Sequence, residues 1–322
     1  MKLINKLLLA LAVCLIVIGI ILSLTAIFLN GGFSGFGSDE AEEIKHTVDG
    51  EFDKLSIDAS SQDIEILPSE SDESYVLIKN EKESHLTYTV EVKDGSLSIF
   101  EVFKNEKWYN IFNFSSVHRK ITVYLAKTNF DSLVLDLSSG DVKISDKFSF
   151  ANADIDMSSG DVEFFANVEN ELKIAGSSGD IEIKGTEAKN IDCETSSGEI
   201  TIEGVAANKI KCDLTSGDIT LKNITSSEIS LETTSGDVVM MSVISGKIKC
   251  NLTSGDMDFE LCDGEEIDIS TSSGSVKGSF LSDKIFIADA SSGDVRVPST
   301  TSGGVCKINT TSGDITVEIK SE

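Results

Sequence analysis

The sequence predicts an all-β chain: a β-solenoid of the parallel β-helix kind, about ten 19-residue coils long, behind one N-terminal transmembrane helix. Three observations predict it. The dipeptide Ser-Gly recurs with its serine at 139, 159, 178, 197, 216, 235, 254, 273, 292 and 312, in steps of 19 or 20 residues. Apolar and polar residues alternate on both sides of each Ser-Gly, which is the period of a half-buried strand. Near the N-terminus, residues 7–29 form an uncharged, mainly apolar run.

That run comes first in the chain. Its 23 residues are long enough to span a hydrocarbon core. Lys2 and Lys6 precede it and Asp39, Glu40, Glu42 and Glu43 follow it. The positive-inside rule counts the lysines, so residues 1–6 are expected in the cytoplasm and the body outside. A cleaved signal peptide is the rival reading. Its apolar core would be shorter and would end in small residues, whereas this run ends in Ile27, Phe28 and Leu29. Leu11-Ala12-Val13-Cys14 is only faintly similar to a lipoprotein box, because Val13 suits it poorly and the apolar run continues past Cys14. Residues 30–43, glycine-rich and then acidic, read as a flexible linker.

Residues 44–132 form an irregular β entry or cap region. Leu55 to Ile66 is a degenerate copy of the repeat that lacks only the glycine. Tyr75–Lys79, Leu86–Val92, Leu97–Phe103 and Lys120–Leu125 alternate like strands. They are expected to extend the first coils or to cover the open end, because an exposed strand edge invites pairing with other chains. Between them lie Trp108, Tyr109, Phe112 and Phe114. These aromatics read either as a recognition loop or as a plug on the end coil, and the burial usual for aromatic clusters favours the plug.

Residues 133–322 are the tandem array. Six residues before each serine stand apolar residues such as Leu172, Ile191, Ile210 and Ile229, and four before it Ile174, Cys193, Cys212 and Leu231. Three after it stand Ile181, Ile200, Ile219 and Val238. Each repeat is therefore a strand, a Ser-Gly turn, a second strand and a second turn. Neither strand buries its apolar side alone, so successive coils must stack. Glycine supplies the bend, because a sharp turn needs a residue tolerant of positive φ. A β-propeller is excluded, since its blades need four strands and about 40 residues. The far end of the rod is expected at Ile319–Glu322, with its charges discouraging further pairing.

Two residues after the serines stand Asp141, Asp161, Asp180, Asp218, Asp237, Asp256, Asp294 and Asp314, with Glu199 and Ser275 in the other two copies. Stacked in register they make a ladder of carboxylates about 4.8 Å apart. Like charges at that spacing repel by roughly 1 kcal/mol in water. The expected relief is that each carboxylate accepts backbone N–H bonds within its own turn. The rival is a calcium ladder, since Ca²⁺ takes oxygen ligands, but the spacing does not match the nonapeptide calcium repeat. No metal is therefore expected. The paired hydroxyls before each glycine, such as Ser177 and Thr215, are expected to stitch coil to coil. Five of the six cysteines (Cys193, Cys212, Cys250, Cys262 and Cys306) fill apolar slots and Cys14 lies in the apolar run, so buried free thiols are expected. The spacing alone also permits a Cys193–Cys212 disulfide in an exported protein.

Catalysis finds no support. His46, His85 and His118 lie outside the array, and Arg119 and Arg296 are the two arginines. No nucleophile elbow, zinc helix, phosphate loop or cofactor motif is visible. The formal charge of −27 excludes nucleic acid as a partner.

The unit Ser177-Ser178-Gly179-Asp180-Ile181-Glu182-Ile183 and its copies from about Leu55 to Ile319 resemble the bacterial "putative adhesin" family, strand-repeat proteins built around a domain of unknown function. The resemblance implies a solenoid, a leading membrane helix and an envelope location, and little about activity. The expected function is thus a non-enzymatic surface module, an adhesin or an envelope scaffold or sensor, with an unidentified envelope, cell-wall or protein partner. A self-assembling solenoid similar to bactofilin-type polymers is the alternative. A carbohydrate-active enzyme on a β-helix ranks below both.

Overall fold

The computed structural model describes residues 41–82, 86–103 and 118–320, all of it strand, turn and loop. The expected membrane span and the aromatic residues Trp108, Tyr109, Phe112 and Phe114 lie outside the described residues. Among the described residues no helix is long and apolar enough to cross a membrane.

The entry region contributes β1 (Ala41–Thr47), β2 (Lys54–Ser61), β3 (Asp63–Pro68), β4 (Tyr75–Glu81), β5 (Leu86–Lys93), β6 (Ser96–Phe103) and β7 (Lys120–Leu125). The first coils of the array are β8 (Asn129–Ser139) with β9 (Val142–Ile144), β10 (Ser149–Ser159) with β11 (Val162–Phe164), and β12 (Asn167–Ser178) with β13 (Ile181–Lys184). Then come β14 (Glu187–Ser197), β15 (Ile200–Glu203) and β16 (Ala206–Ser216). The long strands β17 (Ile219–Ser235), β18 (Val238–Ser254) and β19 (Met257–Ser273) each run through a kink from one coil into the next. Last are β20 (Val276–Phe280), β21 (Lys284–Ser292), β22 (Val295–Arg296), β23 (Gly304–Ser312) and β24 (Ile315–Ile319).

Each coil lays one strand on each of two parallel columns. The turn serines stack in register, Ser197 on Ser216, Ser216 on Ser235 and Ser235 on Ser254. The inward positions that the alternation marks are buried: Ile200, Ile202, Ile210, Cys212, Ile219 and Leu221 are wholly inaccessible, each at 0% exposure. Burying a side chain of that size is worth about 1.5–3 kcal/mol. One coil presents only a handful of them, so a coil is stable only between neighbours. Outward positions carry charges that alternate along the stack. Lys211 lies 3.5 Å from Asp192, and Lys247 lies 3.0 Å from Glu266.

The order of coils along the rod differs from their order along the chain at both ends. At the first end, β6 and β7 lie outside β2 and β3, although they follow them in sequence. Antiparallel strands then close this end: β5 covers β6, β4 covers β7 and β1 covers β4. The entry strands therefore both extend the coils and cap them. β1 is a charged edge (Ala-Glu-Glu-Ile-Lys-His-Thr), which suits an outermost strand.

At the other end, β19 pairs with β23 and β23 with β21. Likewise β20 pairs with β24 and β24 with β22. The last coil in sequence is inserted beneath the one before it. This corrects the expectation that the chain's final residues form the far end, where β21 and β22 stand instead. The two orders use the same strand lengths and the same inward apolar pattern, so local alternation does not tell them apart.

Candidate functional site

The Ser-Gly-Asp edge is the most repetitive surface of the molecule, and its geometry is built from backbone approach. At Gly217 φ is +131°, and a Cβ there would lie 1.8 Å from the carbonyl oxygen of Gly198. The turn is therefore closed to any other residue on two counts, conformation and space. Hydrogen bonds cross between neighbouring turns, with Gly198 N–H donating to Ser216 O (3.2 Å) and Ile200 N–H to Asp218 O (3.0 Å).

The aspartates do not bond within their own turns, which corrects the sequence expectation. Each Oδ1 accepts the N–H of the equivalent residue on the next coil. Asp161 N–H donates to Asp141 (3.0 Å), Asp180 N–H to Asp161 (2.8 Å) and Glu199 N–H to Asp180 (2.7 Å). The series resumes with Asp237 N–H to Asp218 (2.7 Å), Asp256 N–H to Asp237 (2.8 Å) and Ser275 N–H to Asp256 (2.7 Å). It follows the exchanged order at the far end: Asp314 N–H donates to Ser275 Oγ, and Asp294 N–H to Asp314 (2.8 Å). A carboxylate is too short to fold back on its own turn once the turn amides are committed to neighbouring carbonyls. Glu199, one carbon longer, instead accepts Thr201 Oγ1 (2.9 Å). The carboxylates are exposed along one edge, and each spends one oxygen on the adjoining coil. Among the described residues no three His, Cys, Asp or Glu side chains come together in a group able to hold a metal.

The turn hydroxyls also behave differently from expectation. Among the described residues, the one bond between stacked turn serines is Ser139 Oγ to Ser61 Oγ (3.0 Å). Backbone amides and aspartate oxygens do the stitching elsewhere, because the hydroxyls point to water.

The five cysteines of the array are free and buried. Cys193 and Cys212 face each other in register as thiols, and no disulfide joins them. The Cys193 thiol and burial push the Cys212 thiol well up. Burial raises Cys262 to about 11 and Cys306 to about 12. These are small hydrophobes rather than nucleophiles.

Two buried polar features escaped the sequence reading. Gln62 occupies the glycine position of the degenerate coil, 1% exposed. Its Nε2 donates to Tyr88 Oη (2.6 Å) and Glu101 Oε1 (2.9 Å), while Glu101 also accepts Ser60 N–H (3.1 Å). Burial and then the Glu101 charge raise the Tyr88 phenol far above its ordinary range. The cluster satisfies the turn column where it meets the cap. The other feature is Lys284, 1% exposed at the start of β21. It reaches past the inserted coil, at Gly303 and Gly304, to pair with Asp263, and donates to Ser282 Oγ (2.6 Å). Burial alone would raise the Asp263 carboxyl, but the bonds from Lys284, Ser282 and the Gly264 amide outweigh it and hold the group below its ordinary range. Lys284 thus ties the end coil to a coil two steps below. Its only sequence signal was a lysine at an inward-facing offset beside a glycine pair.

A recess of about 670 Å³ runs along the second turns, over Asn167, Glu187, Ala188, Lys189, Ala207 and Ser226. No histidine or cysteine lines it. A second, of about 510 Å³, lies over Met241, Asp258, Phe259 and Lys277. Neither assembles a nucleophile with a base.

A two-column stack of short parallel coils, closed by antiparallel strands at one end, defines a β-solenoid repeat protein. The chain belongs to the family described as Toastrack DUF4097, whose model matches residues 52–241 and 206–322. The match begins at the first coil strand. No curated protein matches the chain. Among solved structures, it is similar to a putative adhesin from Parabacteroides distasonis (16% identity, 88% of this chain and 98% of that one covered, TM-score 0.47). It is likewise similar to a putative lipid binding protein from the same organism (16%, 88% and 98%, 0.48) and to a putative adhesin from Parabacteroides merdae (18%, 88% and 98%, 0.46).

Proposed function

We propose that the protein is a non-enzymatic, adhesin-like surface rod, held to the membrane through residues 7–29 and displayed outside the cell. The observation that carries this reading is that the repeated chemistry is consumed by architecture. Turn glycines, aspartate oxygens and cysteines all serve the stack, and what remains for a partner is long, flat, charged faces. Such faces suit extended binding rather than turnover. The formal charge of −27 favours basic or cationic envelope components over anionic lipid heads or nucleic acid. The family name of the resemblance agrees with adhesion without defining its ligand.

The test is a pull-down from intact envelopes with the full-length chain in mild detergent, followed by binding assays on isolated cell-wall and matrix fractions. Saturable binding that weakens with salt supports the reading. Absence of binding to every fraction removes adhesion. Cell fractionation with external protease tests display: the body must be digested from outside.

A further inference from the structure

The two ends of the rod are finished differently. The first is closed by β1, β4 and β5, whereas the second stops at β21 and β22 with nothing over them. β21 pairs only with β23, so the backbone groups along its other edge are free for a further strand. The inward residues Phe286, Ala288 and Ala290 are only half-buried, and inward-facing Val295 is 42% exposed.

A second, independent feature marks the same place. The outward positions seven and five residues before the turn serine are polar along the array, as at Lys247 and Glu266, or Lys249 and Asp268. At the far end they turn apolar: Val305 and Ile285 at one position, Ile287 at the other, with Ile287 55% exposed. Residues 283–297 also hold three acids and two bases, a net charge of 2 − 3 = −1 in a chain of −27. Like-charged rods repel along their length, and this end is where the repulsion is least.

We infer that this end is an interface for a second copy of the chain, formed by antiparallel pairing of β21 with its two-fold mate. A two-fold axis always presents the same strand to itself, running in opposite directions. A register centred on Ile287 sets Ile287 against Ile287, and each Phe286 against the other copy's Ala288. It places each Asp289 opposite an Ile285, so no like charges face each other, which is the condition for a favourable cross-strand set. Head-to-tail stacking is closed off by the capped first end, so the pairing stops at two copies and gives no polymer. A foreign partner selected by this protein's charge would be basic, and the end coil offers it the weakest acidic field of the rod. If the rods are displayed as proposed above, tip-to-tip pairs would join two surfaces. The pairing itself stands without that reading.

The test uses the full-length purified chain carrying Cys14→Ser, whose remaining five cysteines are buried. Ile287→Cys is treated with a short bis-maleimide, beside Lys249→Cys on the same outward face in mid-rod. The inference expects a cross-linked dimer for Ile287→Cys and monomer for Lys249→Cys. It also expects Ile287→Lys to lower the mass found by light scattering from two chains to one with the β circular dichroism unchanged. Monomer for both cysteine variants, equal cross-linking of both, or a dimer that survives Ile287→Lys overturns it. Cross-linking of Ile287→Cys in cells to a different protein alone would assign the edge to a foreign strand and overturn the second copy. Because pairing is read on purified protein, its failure leaves the surface-rod reading untouched, and failure of envelope binding leaves the pairing untouched.

Discussion

Replacing Gly217 by alanine separates the two demands that the turn makes on glycine. A Cβ at Gly217 would lie 1.8 Å from Gly198 O, and real contacts do not fall below 3.0 Å, so the coils must part locally by about 3.0 − 1.8 = 1.2 Å. That movement breaks the bonds from Gly198 N–H to Ser216 O and from Ile200 N–H to Asp218 O. Each is worth about 1 kcal/mol. The φ of +131° adds strain of roughly 1–3 kcal/mol for a residue with a side chain. The total is about 3–5 kcal/mol by the same figures. Gly185 is the control. Its φ is +65° and nothing lies within 4 Å of its would-be Cβ, so alanine there meets conformational strain alone, about 1 kcal/mol. Urea unfolding of the full-length variants, with hydrogen exchange across residues 197–235, reads the difference. Equal losses in the two variants would refute the close-approach argument, since conformation alone would then explain both glycines.

Three further outcomes follow from the same geometry. Asp237→Asn keeps an Oδ1 acceptor for Asp256 N–H and removes one ladder charge, so it should match or slightly exceed the parent in low-salt melting. Asp237→Ala should lose about 1 kcal/mol. Lys284→Met leaves Asp263 without its partner and should cost about 2 kcal/mol or more, less than for a fully buried pair because the Asp263 side chain keeps 25% exposure. Asp263 is held below its unfolded value, so its contribution is complete above about pH 4 and is lost as pH falls through the folded value. Acid titration of Lys284→Met should therefore be flatter than that of the parent. At pH 8, in the Cys14→Ser background, a thiol reagent should label none of the five array cysteines until the chain unfolds, because Cys262 and Cys306 sit near 11 and 12. Mass spectrometry counts the labels.

Most of the coil was legible in the sequence because its signals are local. Alternation around each serine marked Ile191, Cys193 and Ile200 as inward, and all three are buried. The second turn was harder to read. Gly185, Gly204, Asn223, Ser242 and Leu261 share one register position and all have φ between +53° and +65°. The residue types drift from glycine to leucine, so composition hid a turn that stacking enforces. Gln62 looked like a lost glycine, but it is a buried partner of Tyr88 and Glu101, which lie in strands far away in sequence. The acid ladder was visible as a column, and its bonding was not, because reach to the next coil depends on which amides the turn has already used. The exchanged order of coils at both ends is a matter of pairing choice between equivalent edges, to which period and hydropathy are blind. The glycine pair Gly303-Gly304 was its faint trace: a Cβ on Gly303 would strike Asp283 O at 1.7 Å, and one on Gly304 would strike Glu265 O at 2.6 Å.

The exchanged order decides which coil is the tip, and cysteine pairs test it most directly. Asp268 and Lys307 are register neighbours, as are Lys307 and Ile287, which sets Asp268 and Ile287 two strands apart. Neighbouring strands lie about 4.8 Å apart, within disulfide range, and two spacings exceed it. In the Cys14→Ser full-length chain, Asp268→Cys with Lys307→Cys should oxidise to an intramolecular disulfide, and Asp268→Cys with Ile287→Cys should not. The reverse result would mean that the coils stack in chain order, and that β23 and β24, rather than β21 and β22, form the open end.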